Sequence, residues 1–294
     1  MTLADLLVSW DIHLRAERKA PRTIRIYAIQ VRAFAAWLEE RGIAASVDAL
    51  RSVHVKAFLA DESGRVQGST LIVRYKGLQQ FAKWLVREGE LAADPFIGLS
   101  VPKATEKHVP VMSDADLGAL IKACQGQTFG DRRDEALVRV MIETGCRIGE
   151  VSVLAVEDVD LRSGEIRLHG KGDRWRLVAV GPSTCQALDR YLRERRKHKH
   201  TLLPALWLTQ RGPISRDGVD HLLRVRAQAA GLEGFHGHLL RHALAHRWLS
   251  KGGSELGLQK VAGWTSDAML RRYASSTAAE RSRDEARRLG LGEL

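Results

Sequence analysis

The chain has 294 residues, 45% of them apolar, and its 46 Lys and Arg outnumber 35 Asp and Glu for a net charge of +11. That length allows two domains, and the excess of basic residues points to a polyanionic partner, nucleic acid before any other. No apolar run approaches the ~18 residues of a membrane span, and the start MTLADLLVSWDIHLRAERK lacks the basic, apolar and cleavage regions of a signal peptide, so neither a membrane protein nor a secreted one is expected.

Apolar residues recur at three- and four-residue spacing over 2–16, 22–41, 47–60 and 68–88, which predicts four helices. Pro21 stands at the start of the second, and Gly42 and Gly89 fall just past the ends of the second and fourth. A helical domain is therefore expected over 1–100. ADPFIGLSVPKATEKHVPVMS (93–113) carries three prolines and no helical period, so 101–112 reads as a linker. A second domain, 113–294, opens on SDAD, a capping box, and continues through a helix near 131–144 into TGCRIGE (144–150). A strand is expected near 151–157, followed by a hairpin in which GEIRLHG and RWRLVAVG flank the polar turn KGD. Helices resume at 183–197, 215–230, 238–250 and 254–262, with shorter ones near 266–274 and 277–289 and a tail over 275–294. The fold class is mainly α with a small β-sheet. Both domains carry net positive charge. Cys124, Cys146 and Cys185 are odd in number, far apart and without a CxxC, which fits free thiols in a reducing, cytoplasmic compartment.

HGHLLRHALAHRW (236–248) holds four histidines and two arginines on one helix. Two histidines four apart, such as His238 and His242, suit zinc. Here Leu239 stands where a metalloprotease helix needs Glu, Arg241 repels a cation, and no nearby Cys or paired carboxylate completes a site. A phosphate suits the pair His238 and Arg241 better, since both lie in the first turn, where free N–H groups already favour an anion. Taken alone, a solvated basic face competes equally with that reading, and for His242 and His246 a solvated or packing role is preferred. Arg147 stands three residues before Glu150, close enough for a one-turn ion pair, in itself a common surface feature. Lys171 sits in the hairpin turn, where a lysine is ordinarily just solvated. Of four tyrosines, Tyr27, Tyr75 and Tyr191 fall inside longer helical patterns and read as packing residues. Tyr273, in AGWTSDAMLRRYAS beside Arg271 and Arg272, is left as a candidate nucleophile.

The order TGCRIGE, hairpin lysine, HLLRH, GW, RRY resembles the tyrosine recombinases, or phage integrase family, along essentially the whole chain, the TIRIYAIQVRAFAAWL stretch and the linker included. The resemblance implies a SAM-like core-binding domain followed by an α+β catalytic domain. It implies Arg147, Lys171, His238, Arg241, Trp264 and Tyr273 as the active site, with Glu150 and His242 as auxiliaries. It implies a recombinase that cuts and rejoins duplex DNA at specific core sites through a 3′-phosphotyrosine, with no cofactor and no metal. The nearer expectation is an integrase of a phage or mobile element; the alternative is an Xer-type resolvase of chromosome dimers. A type IB topoisomerase and a catalytically inactive DNA-binding protein are remote alternatives. Implied partners are double-stranded DNA, three further copies in a synaptic tetramer assembled from free monomers, and accessory DNA-bending or directionality proteins. No membrane partner is expected, and the place is the cytoplasm, on the nucleoid. Helices 22–41 and 68–88 are expected to meet the DNA grooves, with Arg22, Arg74 and Lys76 as contacts and Arg216 and Arg224 joining them from the catalytic domain. The 1–100 unit leaves no room before it for an arm-binding domain. The tail after Tyr273 is expected to dock on its own or a neighbouring catalytic domain. Three departures stand out: Trp264 replaces the usual histidine and donates but cannot shuttle a proton, Ala243 and Leu244 replace Thr-Phe, and Ser275 ends the usual Tyr-x-His.

Overall fold

The computed structural model describes residues 2–102, 111–170 and 173–264, together with Arg283 and Arg287. The chain divides into two compact units, Met1–His108 and Val109–Leu294.

The first unit is helical: α1 (Leu3–Ala16), α2 (Pro21–Glu39), α3 (Ser52–Ser63) and α4 (Gly68–Arg87). Thr2 and Asp5 cap α1 reciprocally, and Pro21 opens α2 at a position where its missing N–H is not needed. The core is aromatic, with Trp10 2% exposed against Tyr27, Phe81 and Trp84, and Phe34 set edge-on to Phe58. The helix expected over 47–60 starts later. Val47–Ala49 form a single 3₁₀ turn, and extended backbone at Arg51 separates it from α3.

In the second unit, α5 (Asp114–Cys124) is capped by the Ser113–Asp116 box and α6 (Phe129–Thr144) by Thr128 with Asp131. Helix α6 is the spine of this unit. Its Ala136, Leu137, Val138, Val140 and Met141 have no exposed surface. A short helix α7 (Ile148–Val151) leads to a three-stranded antiparallel sheet of β1 (Val159–Asp160), β2 (Glu165–Gly170) and β3 (Arg174–Ala179). The register pairs Ile166 with Val178 and Gly170 with Arg174, which turns Ile166, Leu168 and Val178 into the core. Next come α8 (Pro182–Arg195), a two-residue hairpin of β4 (Leu208–Thr209) and β5 (Gly212–Pro213), and then α9 (Arg216–Ala229), α10 (His238–Ser250) and α11 (Glu255–Ala262).

The strand expected near 151–157 is absent. Val151 still belongs to α7, and Val156–Asp158 is a 3₁₀ turn closed by the Asp158 carboxylate, which accepts the Ala155 N–H at 2.9 Å. Pairing begins only at Val159. The apolar residues that suggested a strand serve local packing, with Val151 and Leu154 buried and Val153 64% exposed. The hairpin at 208–213 is an addition, too short to show alternation in the sequence. Apart from Arg283 and Arg287, the helices expected near 266–274 and 277–289, the tail and most of the linker lie outside the described residues. Among the described residues no helix is long and apolar enough to cross a membrane.

Candidate active site

Helix α6 ends at Gly145 in the left-handed conformation, φ 56°, and a Cβ there would stand 2.5 Å from the Leu244 side chain. Only glycine fits, and the turn it makes delivers Arg147 to the N-cap of α7. Glu150, in the first turn of α7, bonds back to that cap twice. Its Oε2 accepts the Arg147 N–H at 3.1 Å, and its Oε1 accepts Arg147 Nη1 at 2.7 Å. Glu150 is 5% exposed. Burial alone would raise its pKa, but the Arg176 guanidinium, followed by Arg147, outweighs burial and holds the carboxyl below its ordinary range.

Arg241, one turn into α10, is 4% exposed. Its Nη1 donates to the Gly145 carbonyl at 2.7 Å, its Nη2 donates to the Ala262 carbonyl at the end of α11, and its guanidinium lies 5.4 Å from the Trp264 ring centre. Burial first, and Arg147 second, bring its pKa down to about 10, which leaves it charged at neutral pH. His238, the first residue of α10, keeps an exposed ring. Crowding by surrounding protein, then the charges of Arg241, His236, Arg147 and Arg216, hold its pKa below the ordinary histidine value, so it stands neutral at pH 7. Arg147, His238 and Arg241 are thus near enough to feel one another's charge, as a site for an oxyanion requires. Arg147 borders an open cleft of about 710 Å³ whose walls also include Arg174, Trp175, Arg176, Lys260 and Trp264.

Lys171 and Tyr273 lie outside the described residues. Gly170, the residue joined to Lys171, lines the cleft. The other three tyrosines are committed elsewhere. Tyr27 stacks on Trp10, and the Tyr75 hydroxyl donates to the Leu99 carbonyl at 2.8 Å. The Tyr191 hydroxyl donates to Leu206 at 2.9 Å and accepts the Leu208 N–H at 3.0 Å, with its pKa pushed up to about 12 by burial. Burial likewise pushes the Cys146 thiol, next to Arg147, up to about 11, far from a nucleophilic thiolate. His242 is half-buried on α10. Among the described residues no group of three His, Cys, Asp or Glu could hold a metal ion.

The expected DNA contacts separate. Arg22 and Lys76 are exposed on α2 and α4, and Arg216 is exposed at the start of α9. Arg224 is exposed and pairs with Asp220 in its own helix at 2.9 Å. Arg74 is placed differently: its side chain is only 18% exposed, ion-paired with Glu62 of α3, and its guanidinium lies 5.7 Å from the Phe58 ring centre. An arginine held by a buried carboxylate braces the core and has fewer donors left for a groove. Sequence reasoning missed Arg176, whose Nη2 bonds Glu150 Oε2 at 2.6 Å and whose Nε bonds the Val261 carbonyl at 2.9 Å. The signal available was strand alternation, which puts Arg174 and Arg176 on one face of RWR.

Residues 110–280 match the model of the phage integrase family, and residues 6–89 match that of the phage integrase N-terminal SAM-like domain. The tyrosine recombinase XerD of Corynebacterium glutamicum is 33% identical, covering 93% of this chain and 94% of its own. The tyrosine recombinase XerC of Actinobacillus pleuropneumoniae serotype 7 is 29% identical over 90% of this chain and 86% of its own. Among solved structures, the Tn1549 transposon integrase in complex with a circular intermediate DNA superposes with TM-score 0.73 at 16% identity, covering 99% of this chain and all of that one. Lambda integrase (75–356), solved as a dimer bound to a core site, gives 0.72 at 16% identity over 92% and 97%; both likenesses concern the fold. With both units matched in order, and a relative one third identical along nearly its whole length, the chain belongs to the phage integrase family and is a tyrosine site-specific recombinase.

Proposed function

We propose that the chain exchanges DNA strands through a covalent 3′-phosphotyrosine at Tyr273. The observation that carries this reading is that Arg241 is held by two main-chain carbonyls and Arg147 by Glu150, with His238 one turn before Arg241 on α10. Both guanidinium groups can meet the non-bridging oxygens of a phosphate, where negative charge grows in the transition state. The Tyr273 oxygen attacks phosphorus, the P–O5′ bond breaks, and Lys171 gives its proton to the leaving 5′-oxygen. The tyrosyl phosphoester keeps the energy of the broken bond, so a 5′-hydroxyl of another strand reverses the step and seals the exchange. The neutral imidazole of His238 either donates to the phosphate or takes the Tyr273 proton, and the Trp264 indole walls the site. The positive charge that many phosphoryl-transfer enzymes draw from Mg²⁺ is supplied here by the arginines. A duplex carrying a nick near the crossover tests this: wild type accumulates a covalent adduct and Tyr273→Phe forms none. An adduct that survives in Tyr273→Phe would sink the assignment.

Lambda integrase has been solved as a dimer on a core site and as a tetramer bound to a Holliday junction. By likeness, this chain binds paired core sites in double-stranded DNA and works as a tetramer assembled on them, in the cytoplasm where its DNA lies. Residues 1–100 are then the core-binding module and 113–294 the catalytic one. For the biological role we infer integration of a phage or mobile element, supported by Trp264 at the usual histidine position. Resolution of chromosome dimers is the second reading, favoured by the XerC and XerD relatives. Mapping the DNA joined by the enzyme in cells decides between them. Junctions at the ends of one element mean integration, and junctions confined to one chromosomal site near the replication terminus mean dimer resolution.

A further inference from the structure

We propose that Arg176 is a positioning residue for the phosphate clamp, tying the Arg147–Glu150 pair to the end of α11 that also fastens Arg241. The inference rests on the recombinase reading of the cleft. Arg176 reaches the site from β3. Its planar fork spends Nη2 on Glu150 Oε2 at 2.6 Å and Nε on the Val261 carbonyl at 2.9 Å. Val261 and Ala262 are consecutive residues at the end of α11, whose last carbonyls have no partner inside the helix; one accepts from Arg176 and the other from Arg241. Arg241 also holds the Gly145 carbonyl, two residues before Arg147. The contacts therefore close a ring that runs from Arg147 through Glu150, Arg176, the α11 carbonyls and Arg241 to Gly145 and back along the chain to Arg147. The guanidinium lies in a slot between two glycines. A Cβ at Gly263, itself left-handed at φ 63°, would stand 3.1 Å from Arg176 Nη1, and one at Gly170 would stand 3.4 Å from it.

Without Arg176, Arg147 is the close partner left to Glu150 among the described residues, and the Arg147 side chain is 39% exposed. The charged and titratable groups that face Glu150 are Arg147 on its own turn, Arg176 from β3, Arg241 from α10 and the Cys146 thiol. Removing Arg176 lets burial raise the carboxyl, and a protonated Glu150 loosens Arg147 as the pH falls.

The test uses the full chain on the nicked duplex. Arg176→Met is expected to slow adduct formation about ten- to hundredfold, since a clamp displaced by an ångström costs on that order. DNA affinity is expected to stay within about threefold, because most phosphate contacts lie elsewhere. The acid limb of the rate–pH profile is expected to move to higher pH. Arg176→Lys, with charge but no fork, is expected to recover part of the neutral-pH rate. The double variant Arg176→Met/Glu150→Gln is expected to be no slower than the slower single one, since both act through one contact. The inference is overturned if Arg176→Lys and Arg176→Met both cleave like wild type, if the loss is equal at every pH, or if the double loss is the product of the singles. Should Arg176→Met fail to fold, the rate and pH profile of Arg176→Lys decide. A readout independent of cleavage is Tm against pH: the variants are expected to lie below wild type at neutral pH and to approach it toward acid, where Glu150 is protonated in both, and curves parallel to wild type overturn the inference. An adduct in Tyr273→Phe would refute the nucleophile and leave the Tm result standing.

Discussion

Two buried polar networks in the catalytic unit use the same residue types to opposite effect. Along α6, Asp131, Asp134 and Glu135 are each met by arginine. Arg226 reaches Asp131 and Asp134 at 2.8 Å, Arg133 holds Asp134 at 2.7 Å, and Arg139 and Arg190 close on Glu135. Beside the cleft, among the described residues, Glu150 is the one carboxylate shared by Arg147 and Arg176, and Arg241 is held by main-chain carbonyls. The first network sets four arginines against three carboxylates, close to balance, and braces helices. The second leaves a positive excess that a phosphate would neutralise. Buried charge stabilises only when paired, so an under-paired cation cluster at a cleft is best explained by a bound anion.

The largest effect expected from breaking this contrast is at Arg241. Arg241→Ala should slow adduct formation about 10²–10³-fold, the loss typical of one oxyanion donor, with DNA binding retained in a gel-shift assay. If instead Tm collapses and per-molecule cleavage stays intact, the cleft network is structural like its neighbour. In the first network the outcome should invert. Asp134→Ala leaves Arg226 and Arg133 short of a buried partner, and should cost about 3–5 kcal/mol in denaturant unfolding while the folded fraction cleaves normally. Tyr191→Phe orphans the Leu206 carbonyl and the Leu208 N–H, for an expected loss of about 1–3 kcal/mol and no change in adduct yield.

A smaller and more diagnostic effect is at His238. Its folded pKa is depressed, so it binds fewer protons than the unfolded chain near its ordinary value of ~6.5. Its contribution to stability is therefore complete above that value and diminishes as the pH falls below it. NMR should place its titration below the ordinary value in the free protein, and a phosphate in the cleft, which offsets Arg147 and Arg241, should move it up. No movement on DNA binding would mean that the anion sits elsewhere. The smallest effect separates Arg74 from Lys76. Lys76→Ala should lower the salt slope of DNA binding by about one, whereas Arg74→Ala should lower Tm and leave the slope unchanged.

Much of the site was legible from spacing. Arg147 and Glu150 three apart could only meet across one turn, and His238 and Arg241 likewise. The capping box at Ser113 works within four residues, so a local reading reaches it. The partners of Arg176 were not legible, since Glu150 and Val261 are 26 and 85 residues away in sequence. The ion pair of Arg74 was hidden for the same reason: its partner Glu62 sits on a different helix, and a paired arginine looks like a free one in a string of letters. The missing strand at 151–157 reflects a further limit, because β1 exists only through pairing with β2, and the apolar run ahead of it found other neighbours.

By itself the sequence determined the family, the two-unit order, most helices and the residue types a phosphate clamp needs, because those depend on periodicity, caps and motifs a few residues long. Only the tertiary structure decided which arginines are spent and which remain available. That choice depends on the carboxylates and helix-end carbonyls that folding brings beside each one, and on the burial that sets what an unmatched charge costs.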